Sequence, residues 1–191
     1  MDDGGLAALR TELLADLTGS VVEVGCGTGS NFQHYPGTVT SVHAVEPEPY
    51  LRSIAHTEAL DAPVDIKVTG GTGSALPLET ASVDAAVLCM VLCSVPDPLS
   101  TVTELLRALR PGGTLVFLEH HASDKPGIRL IQKAADATLW PFFAGGCHLH
   151  RDPLTTLRAG GFVVESLRSP QYPGGLSGAF APHVLGRASR P

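Results

Sequence analysis

A glycine-rich turn directly after a short apolar run is the part of this sequence best suited to chemistry. Residues 21–29 read Val-Val-Glu-Val-Gly-Cys-Gly-Thr-Gly. The β-branched residues predict a buried parallel strand, and three glycines in five positions predict that the strand ends abruptly. Glycine adopts backbone conformations with positive φ and lets a ligand lie directly against the main chain. We therefore expect a ligand site at Gly25, Gly27 and Gly29.

The spacing of these glycines separates two classes of nucleotide-binding turn. The dinucleotide fingerprint G-x-G-x-x-G requires its third glycine where this chain has Ser30. Here the third glycine comes one residue earlier, and Glu23 lies two residues before the first. The resulting pattern, E-x-G-x-G-x-G, resembles the signature of S-adenosylmethionine-dependent methyltransferases with a Rossmann-like fold. The resemblance implies S-adenosylmethionine as the cofactor.

Strand and helix patterns alternate along the chain. We predict further strands over residues 39–45, 64–68, 83–88, 114–118, 162–167 and 183–188. We predict helices over residues 6–17, 50–60, 99–109 and 128–140. A further helix should begin over 30–35 with its N-terminal amides facing the ligand, and Pro36-Gly37 should close it early. Such alternation favours a parallel sheet with right-handed crossovers. The predicted fold is α/β: a single domain over 1–191 with a Rossmann-like, seven-stranded, mostly parallel sheet, helices on both faces and one antiparallel strand in the last pair. Residues 122–158 are predicted to form a cap-like insertion on the substrate side.

Ligands of open parallel sheets bind beyond the carboxyl ends of the strands, and the candidate cofactor residues all fall there. Glu46, about twenty residues beyond the first glycine, ends the second strand and is expected to accept both ribose hydroxyls. Glu23 either pairs with the cofactor's ammonium group or fixes the loop. The predicted cofactor-binding residues are Glu23, Gly25, Cys26, Gly27, Gly29, Asn31, Glu46, Pro47, Thr72, Gly73, Ser74 and Cys89.

The loop after the third strand departs from the family pattern. Methyltransferases of this type usually carry an acidic residue there that contacts the adenine amino group, and this chain has Thr72 instead. We therefore expect adenine to be recognised by backbone groups or by the hydroxyls of Thr72 and Ser74.

Short motifs in the second half narrow the resemblance. Over residues 20–188 the chain looks like the methyltransferase-like alkyl thiol S-methyltransferases. The motifs that carry this resemblance are Val91-Leu92-Cys93-Ser94-Val95, Glu119-His120, Trp140 with Phe143, Gly146-Cys147-x-Leu149-x-Arg151, and Pro182-His183 with Gly186. The resemblance implies methyl transfer to the sulfur of a small thiol, in detoxification or natural-product tailoring. His120 is the candidate catalytic residue, as a base or for substrate positioning. The predicted substrate residues are Val91, Cys93, Trp140, Cys147 and His148.

Two structural questions stay open within this substrate half. Trp140, Phe142 and Phe143 either roof an apolar pocket or pack their segment on the sheet. The cysteines show no spacing typical of a structural zinc site, and the fourth strand does not end in an acid as it does in metal-dependent catechol-type enzymes. We therefore predict metal-free transfer.

Composition limits the partners. A net charge of −6, with only three lysines among 13 basic residues and no basic run, argues against nucleic-acid substrates. No apolar stretch approaches the ~18–20 residues of a membrane helix, and the acidic N-terminus does not resemble a signal peptide or the hydrophobic anchor of the animal homologues. We expect a cytoplasmic protein with reduced thiols and no membrane anchor, as a monomer or a homodimer, acting on a small molecule.

Three other functions are also compatible with the sequence. The core motifs are shared with C- and O-methyltransferases that act on quinones or phenols. A protein that binds the cofactor without catalysis, or a nicotinamide-dependent enzyme, would also account for a glycine-rich turn after the first strand.

Overall fold

Seven strands form the central sheet of the molecule. The computed structural model describes residues 4–172 and 180–191. The strands are β1 (Gly19–Val24), β2 (Val39–Val45), β3 (Ile66–Thr69), β4 (Val83–Cys89), β5 (Leu109–His120), β6 (Val163–Arg168) and β7 (His183–Ser189). Their order across the sheet is β3-β2-β1-β4-β5-β7-β6. Strands β1 to β5 pair in parallel, and β7 runs antiparallel to both β5 and β6. This topology confirms the predicted Rossmann-like sheet and its single antiparallel strand.

The helices are α1 (Gly4–Leu14), α2 (Pro49–Ala59), α3 (Pro98–Ala108), α4 (Pro126–Asp136), α5 (Trp140–Phe143) and α6 (Pro153–Ala159). An acid followed by proline begins three of them. The side chains of Glu48, Asp97 and Asp152 accept backbone N–H groups in the first turns of α2, α3 and α6, and a proline follows each acid. Local sequence therefore sets these helix starts, which lie within one residue of the prediction for α2 and α3.

The helix predicted to begin within residues 30–35 is wrong in extent. Only one 3₁₀ turn forms there, over Phe32–His34. Tyr35 is extended, with φ −67° and ψ 130°, because the proline at position 36 disfavours the helical conformation in the residue before it. The glycine turn is thus followed by a short turn rather than by a helix.

The sheet is buried on both faces. Val22 and Val24 of β1 pack on the side of α3 and α6, whereas Val21 packs on the side of α1 and α2. This alternation is the period-two geometry of a strand with two covered faces. Helices on both faces are therefore confirmed. Among the described residues, no helix has the length and apolar character needed to cross a membrane.

Residues 122–158 contain most of the structure that separates β5 from β6. The helix predicted over 128–140 corresponds to α4, which ends at Asp136, followed by the short α5. The ring-bearing side chains on α5 are largely exposed, with Phe142 at 79% and Phe143 at 77%. The prediction that these two phenylalanines pack on the sheet is therefore wrong. The residues between α4 and α5 form a turn, and both phenylalanine side chains face water. Their role as a roof, and the segment's role as a cap, stay predictions.

Gly186 offers a test of the packing between β5, β7 and β6. A Cβ added at Gly186 would lie 2.6 Å from Phe117 Cζ and 2.6 Å from the Ser166 carbonyl oxygen. We expect Gly186→Ala to lower the free energy of unfolding by about 1–3 kcal/mol, because neither the buried ring nor the backbone can move freely. Chemical denaturation measures this loss. The control is Gly127→Ala in α4, where an added Cβ meets no atom within 4 Å. Equal stability of the two variants would contradict the packing described.

Candidate functional site

The glycine turn after β1 combines one open position with two crowded ones. Gly25, Gly27 and Gly29 have φ values of +66°, +56° and +86°. A Cβ at Gly27 would meet no atom within 4 Å, whereas one at Gly29 would lie 2.7 Å from the Phe32 ring and one at Gly25 would lie 3.0 Å from a Val91 methyl group. The turn therefore packs tightly at both ends and leaves its centre accessible to a ligand.

Glu46 joins this turn to the end of β2. One carboxylate oxygen accepts the Gly27 N–H at 2.9 Å, and the other accepts the Glu48 N–H at 3.0 Å. The side chain is only 6% exposed. An ionised carboxylate accepts about four hydrogen bonds, so about two acceptor positions remain for a ligand. These are the positions that a pair of ribose hydroxyls requires.

Glu23 lies beneath the turn, where it is buried and both of its oxygens bind protein groups. Its two oxygens accept the Asn31 amide at 2.8 Å and the Tyr35 hydroxyl at 2.7 Å. Burial raises the pKa of the Glu23 carboxyl to about 7, although both hydrogen bonds and the charge of Arg10 act in the opposite direction. These hydrogen bonds fix the loop, which is one of the two roles predicted for Glu23. The other role, pairing with the ammonium group of the cofactor, stays a prediction.

Arg10, on α1, is a residue that sequence analysis missed. Its guanidinium donates to the Asn31 Oδ1 and to the Cys89 Sγ, and its Nε is buried without a partner. The leucine spacing of α1 indicated a packing helix and gave no signal for a functional arginine. Arg10 also lines a cavity of about 670 Å³ between α1 and α2, beside Thr28 and Gly29 of the glycine turn. It is the cation that reaches this turn from outside the sheet.

The loop after β3 presents two hydroxyls at the surface. Thr72 and Ser74 are exposed, with their oxygens 3.2 Å apart. Gly73 between them is buried, and a Cβ there would lie 2.7 Å from the Thr101 methyl group and 3.1 Å from Val24. The close approach of Gly73 holds the loop against the end of β1, where the predicted adenine contacts are required. Arg52 supports the neighbouring turn by donating to the carbonyls of Glu46 and Pro47.

The thiols of Cys26 and Cys89 lie beside this cofactor region and stay protonated near neutral pH. Burial raises the pKa of the Cys26 thiol, and nearby Glu23 and Glu46 raise it further. Burial also raises the pKa of the Cys89 thiol, to about 12. Both side chains are therefore neutral thiols, and their contacts with the cofactor stay predictions.

Glu119 holds the turn that follows β4. One of its oxygens accepts the N–H groups of Val91 at 2.8 Å and Leu92 at 3.1 Å, and burial raises the pKa of this carboxyl to about 8. Met90, just before, has a φ of +58°, which is unusual for a residue other than glycine. Glu119 therefore stabilises a strained turn. In the sequence, Glu119 stands beside His120 in a motif of the family that the chain resembles, but that motif predicted no role for Glu119.

A second group of side chains meets at the ends of β4 and β5. His120 is the last residue of β5, and its Nε2 lies 3.4 Å from the Cys147 Sγ. Cys93 follows β4, and its Sγ lies near both atoms. A hydrogen bond from Cys93 lowers the pKa of the Cys147 thiol, and the same contact raises that of Cys93 to about 12. Of the pair, Cys147 is the thiol that ionises more readily.

The structure brings together most of the predicted acceptor-side residues. Val91 and Cys93 lie in the turn after β4 and His120 ends β5, whereas Cys147 and His148 lie in the loop between α5 and α6. The two loops meet where the His148 N–H donates to the Cys93 carbonyl at 2.9 Å. Trp140 is separate: it lies on α5 and is 43% exposed.

Comparisons with known proteins agree with this architecture. Residues 22–117 match the family model described as a methyltransferase domain. The thiol S-methyltransferase TMT1B of Rattus norvegicus is 32% identical over 174 residues, which cover 88% of this chain and 70% of that protein. The demethylmenaquinone methyltransferase of Lactococcus lactis is 31% identical over 111 residues, which cover 56% of this chain and 44% of that protein. The crystal structure of a methyltransferase-like protein from Bacillus halodurans superimposes with a TM-score of 0.78 at 15% identity, covering 97% of this chain and 98% of that one.

The chain therefore belongs to the class I S-adenosylmethionine-dependent methyltransferases. Within that class it is similar, over most of its length, to the thiol S-methyltransferases. The predicted family, enzyme class and cofactor are confirmed, and the alternatives of a nicotinamide-dependent enzyme or a binding protein without catalysis lose their support. The site fits the cofactor: the centre of the turn at Gly27 is open, and Glu46 keeps acceptor positions free beside it.

The buried acid beneath the turn predicts a pH dependence. The Glu23 carboxyl has a raised pKa of about 7 in the folded chain against 4.5 as its ordinary value, so folding favours its protonated form. Its contribution to stability is complete below pH 4.5 and is lost as the pH rises through about 7, with a span of about 3 kcal/mol.

We expect Glu23→Gln, which is neutral at every pH, to lack this loss. Denaturant unfolding of both proteins below pH 4.5 and above pH 7 measures the difference. The control is the exposed Glu48→Gln change: the pKa of this carboxyl is lowered, so its removal acts at low pH and leaves the loss of stability through pH 7 as in the wild type. Parallel pH profiles for wild type and Glu23→Gln would contradict the assignment.

Proposed function

We propose that this enzyme transfers the methyl group of S-adenosylmethionine to the sulfur of a small, fairly apolar thiol. The observation that carries the proposal is the extent of the likeness to the thiol S-methyltransferases. Because that likeness covers 88% of the chain, it includes most of residues 122–188, which supply Cys147 and His148 to the acceptor side. The likeness to the menaquinone enzyme covers 56% of the chain. Detoxification or the tailoring of a natural product is the corresponding role.

The residues around the glycine turn would hold the cofactor. Gly25 and Gly27 let its methionine and ribose portions lie against the backbone, and Glu46 accepts the ribose hydroxyls. Thr72 and Ser74 present hydroxyls to the adenine. Arg10 offers a guanidinium to the carboxylate of the methionine portion, because its buried Nε has no protein acceptor.

When bound, the cofactor supplies a methyl group on a positively charged sulfonium, which is already a good leaving group. The protein then has to orient the acceptor in line with that methyl group, and orientation alone is worth up to ~7–11 kcal/mol. A thiol reacts as its thiolate, so the acceptor must lose its proton before transfer. His120 lies at the end of β5, within reach of the acceptor side, and positions the thiol or takes its proton.

A second candidate function is C- or O-methylation of a quinone or phenol. It is favoured by the 31% identity to the demethylmenaquinone methyltransferase over 111 residues. A cytoplasmic location without an anchor, a monomeric or dimeric state, and a cap formed by residues 122–158 stay predictions beside either function.

Loss of the Glu46 carboxylate should weaken cofactor binding. We expect Glu46→Ala to reduce the affinity for S-adenosylhomocysteine by about tenfold or more, because hydrogen bonds to a charged acceptor contribute about 1.5–3 kcal/mol. Isothermal titration calorimetry measures the affinity. The matched control is Glu48→Ala, two residues away, which removes the cap of α2 and leaves the affinity close to that of the wild type. Unchanged affinity in Glu46→Ala would refute its ribose role.

The acceptor class is tested by direct competition between chemistries. We expect transfer of tritiated methyl groups to a simple alkyl thiol and little transfer to a phenol of equal size. His120→Ala should lower turnover at saturating thiol by about 10²-fold or more while cofactor affinity is kept. His121→Ala is the control, since its ring contacts the Ala122 carbonyl instead. Activity on the phenol alone would overturn the thiol proposal, and full activity of His120→Ala would remove this residue from the reaction.

A further inference from the structure

Two thiols and one imidazole converge at a single point beside the cofactor region. Cys93 follows β4, His120 ends β5, and Cys147 lies between α5 and α6. Their Sγ, Nε2 and Sγ atoms all lie within 4.8 Å of one another, and the Cys147 to His120 distance is 3.4 Å. Three ligand atoms from three separate segments thus share one small volume.

The distance from Cys147 to His120 is close to the spacing of neighbouring ligand atoms in a tetrahedral metal site. Ligand bonds of about 2.0–2.3 Å place neighbouring ligand atoms about 3.5–3.8 Å apart. The cluster therefore needs only small side-chain movements to surround an ion. Two sulfurs with one imidazole nitrogen are a donor set that selects zinc-like ions over magnesium or calcium.

We propose that Cys93, His120 and Cys147 are the three protein ligands of a divalent zinc-class ion with an open fourth position. This proposal departs from the sequence-based prediction of metal-free transfer. That prediction relied on the spacing of cysteines along the chain, and it could not register a site built from three distant segments.

The backbone around the cluster is held in place before any ion binds. The His148 N–H donates to the Cys93 carbonyl at 2.9 Å, which ties the two cysteine-bearing loops together. The Arg151 guanidinium donates to the carbonyls of Leu92 and Val95 at 2.7 and 2.6 Å. Asp136 accepts two N–H groups from the segment just after Cys147. Such support is what fixes metal ligands in a productive arrangement.

Two of the three ligand side chains border free volume. Cys93 and His120 line a cavity of about 90 Å³, together with Leu92 and Arg151. Among residues 4–172 and 180–191, the cluster contains three candidate ligands and no fourth. Catalytic zinc sites have this composition, with three protein ligands and one position for water or substrate, whereas structural sites are closed by four protein ligands.

The open position would take the acceptor thiol, and this part of the inference rests on the proposed thiol S-methylation. The thiol releases its proton to solvent on binding, and its sulfur becomes a metal-bound thiolate. A lone pair of that sulfur forms the new bond to the methyl carbon while the sulfonium–methyl bond breaks, and its electrons return to the cofactor sulfur. The product is a neutral thioether, a weaker ligand that leaves. In this arrangement His120 is a ligand rather than the base.

Cobalt(II) provides the test, because thiolate-bound cobalt absorbs visible and near-ultraviolet light. Metal-free, reduced wild-type protein is titrated with cobalt(II), and we expect one equivalent to bind with thiolate-to-cobalt charge-transfer absorption. Cys93→Ser, Cys147→Ser and His120→Gln should each weaken binding by about 100-fold or more, since loss of a direct ligand exceeds the loss from outer contacts. Cys89→Ser and His121→Gln are the matched controls and should bind as the wild type does. Circular dichroism checks that each variant is folded.

A second titration adds an alkyl thiol to the cobalt protein, and we expect the absorption to change, whereas a phenol of equal size leaves it unchanged. Absence of the cobalt spectrum, or equal binding in Cys147→Ser, would overturn the site. A Cys93–Cys147 disulfide, seen as two thiols that titrate only after reduction, would also overturn it. A cobalt spectrum insensitive to thiol, or full transfer to thiols by the metal-free enzyme, would overturn the acceptor role alone. Thiol S-methylation itself is tested by the methyl-transfer assay, so failure of the metal site can be told apart from failure of the proposed function.

Discussion

Buried carboxylates at the carboxyl edge of the sheet hold the loops that form the site. Glu23 lies in β1 and accepts a hydrogen bond from the segment after the glycine turn. Glu46 follows β2 and accepts one from the turn itself, and Glu119 in β5 accepts one from the turn after β4. Loops at the end of a parallel sheet lack strand partners for their N–H groups, and a buried carboxylate supplies strong acceptors for several of them. The positions of the cofactor and acceptor regions both depend on these bonds.

These acids carry an energetic cost that bears on function. Burial raises the pKa of both Glu23 and Glu119 towards or above neutrality, because an ionised carboxylate is poorly solvated there. Glu46 keeps 6% exposure and free acceptor positions. The edge of the sheet therefore combines two acids that mainly stabilise loops with one that remains available to a ligand. The free acceptor positions of Glu46 are the ones that the proposed ribose contact uses.

The four cysteine thiols form two pairs that differ in the side chains around them. Cys26 lies near two acids and Cys89 accepts a hydrogen bond from Arg10, and the raised pKa values of both thiols keep them protonated. Cys93 and Cys147 contact each other and His120, which makes them a chemically distinct pair. The same separation distinguishes the cofactor half of the site from the acceptor half. The proposed thiol chemistry and the proposed ion both belong to the second half, where sulfur and imidazole ligands already meet.

Sequence alone determined the elements and the cofactor class. Apolar periodicity and the glycine spacing act over a few residues, so they identified most strands and helices, the Rossmann-like sheet, the turn at Gly25–Gly29 and Glu46 beyond it. The sequence predicts that Pro36-Gly37 ends the helix begun over 30–35, but it does not show that only a 3₁₀ turn, Phe32–His34, forms before the proline. Only the tertiary structure decided that Arg10 reaches the turn from α1, that Glu119 holds the turn after β4, and that the Cys147 loop closes on Cys93 and His120. Those contacts join residues far apart in sequence, and the crossovers of the sheet, rather than any local pattern, bring them together.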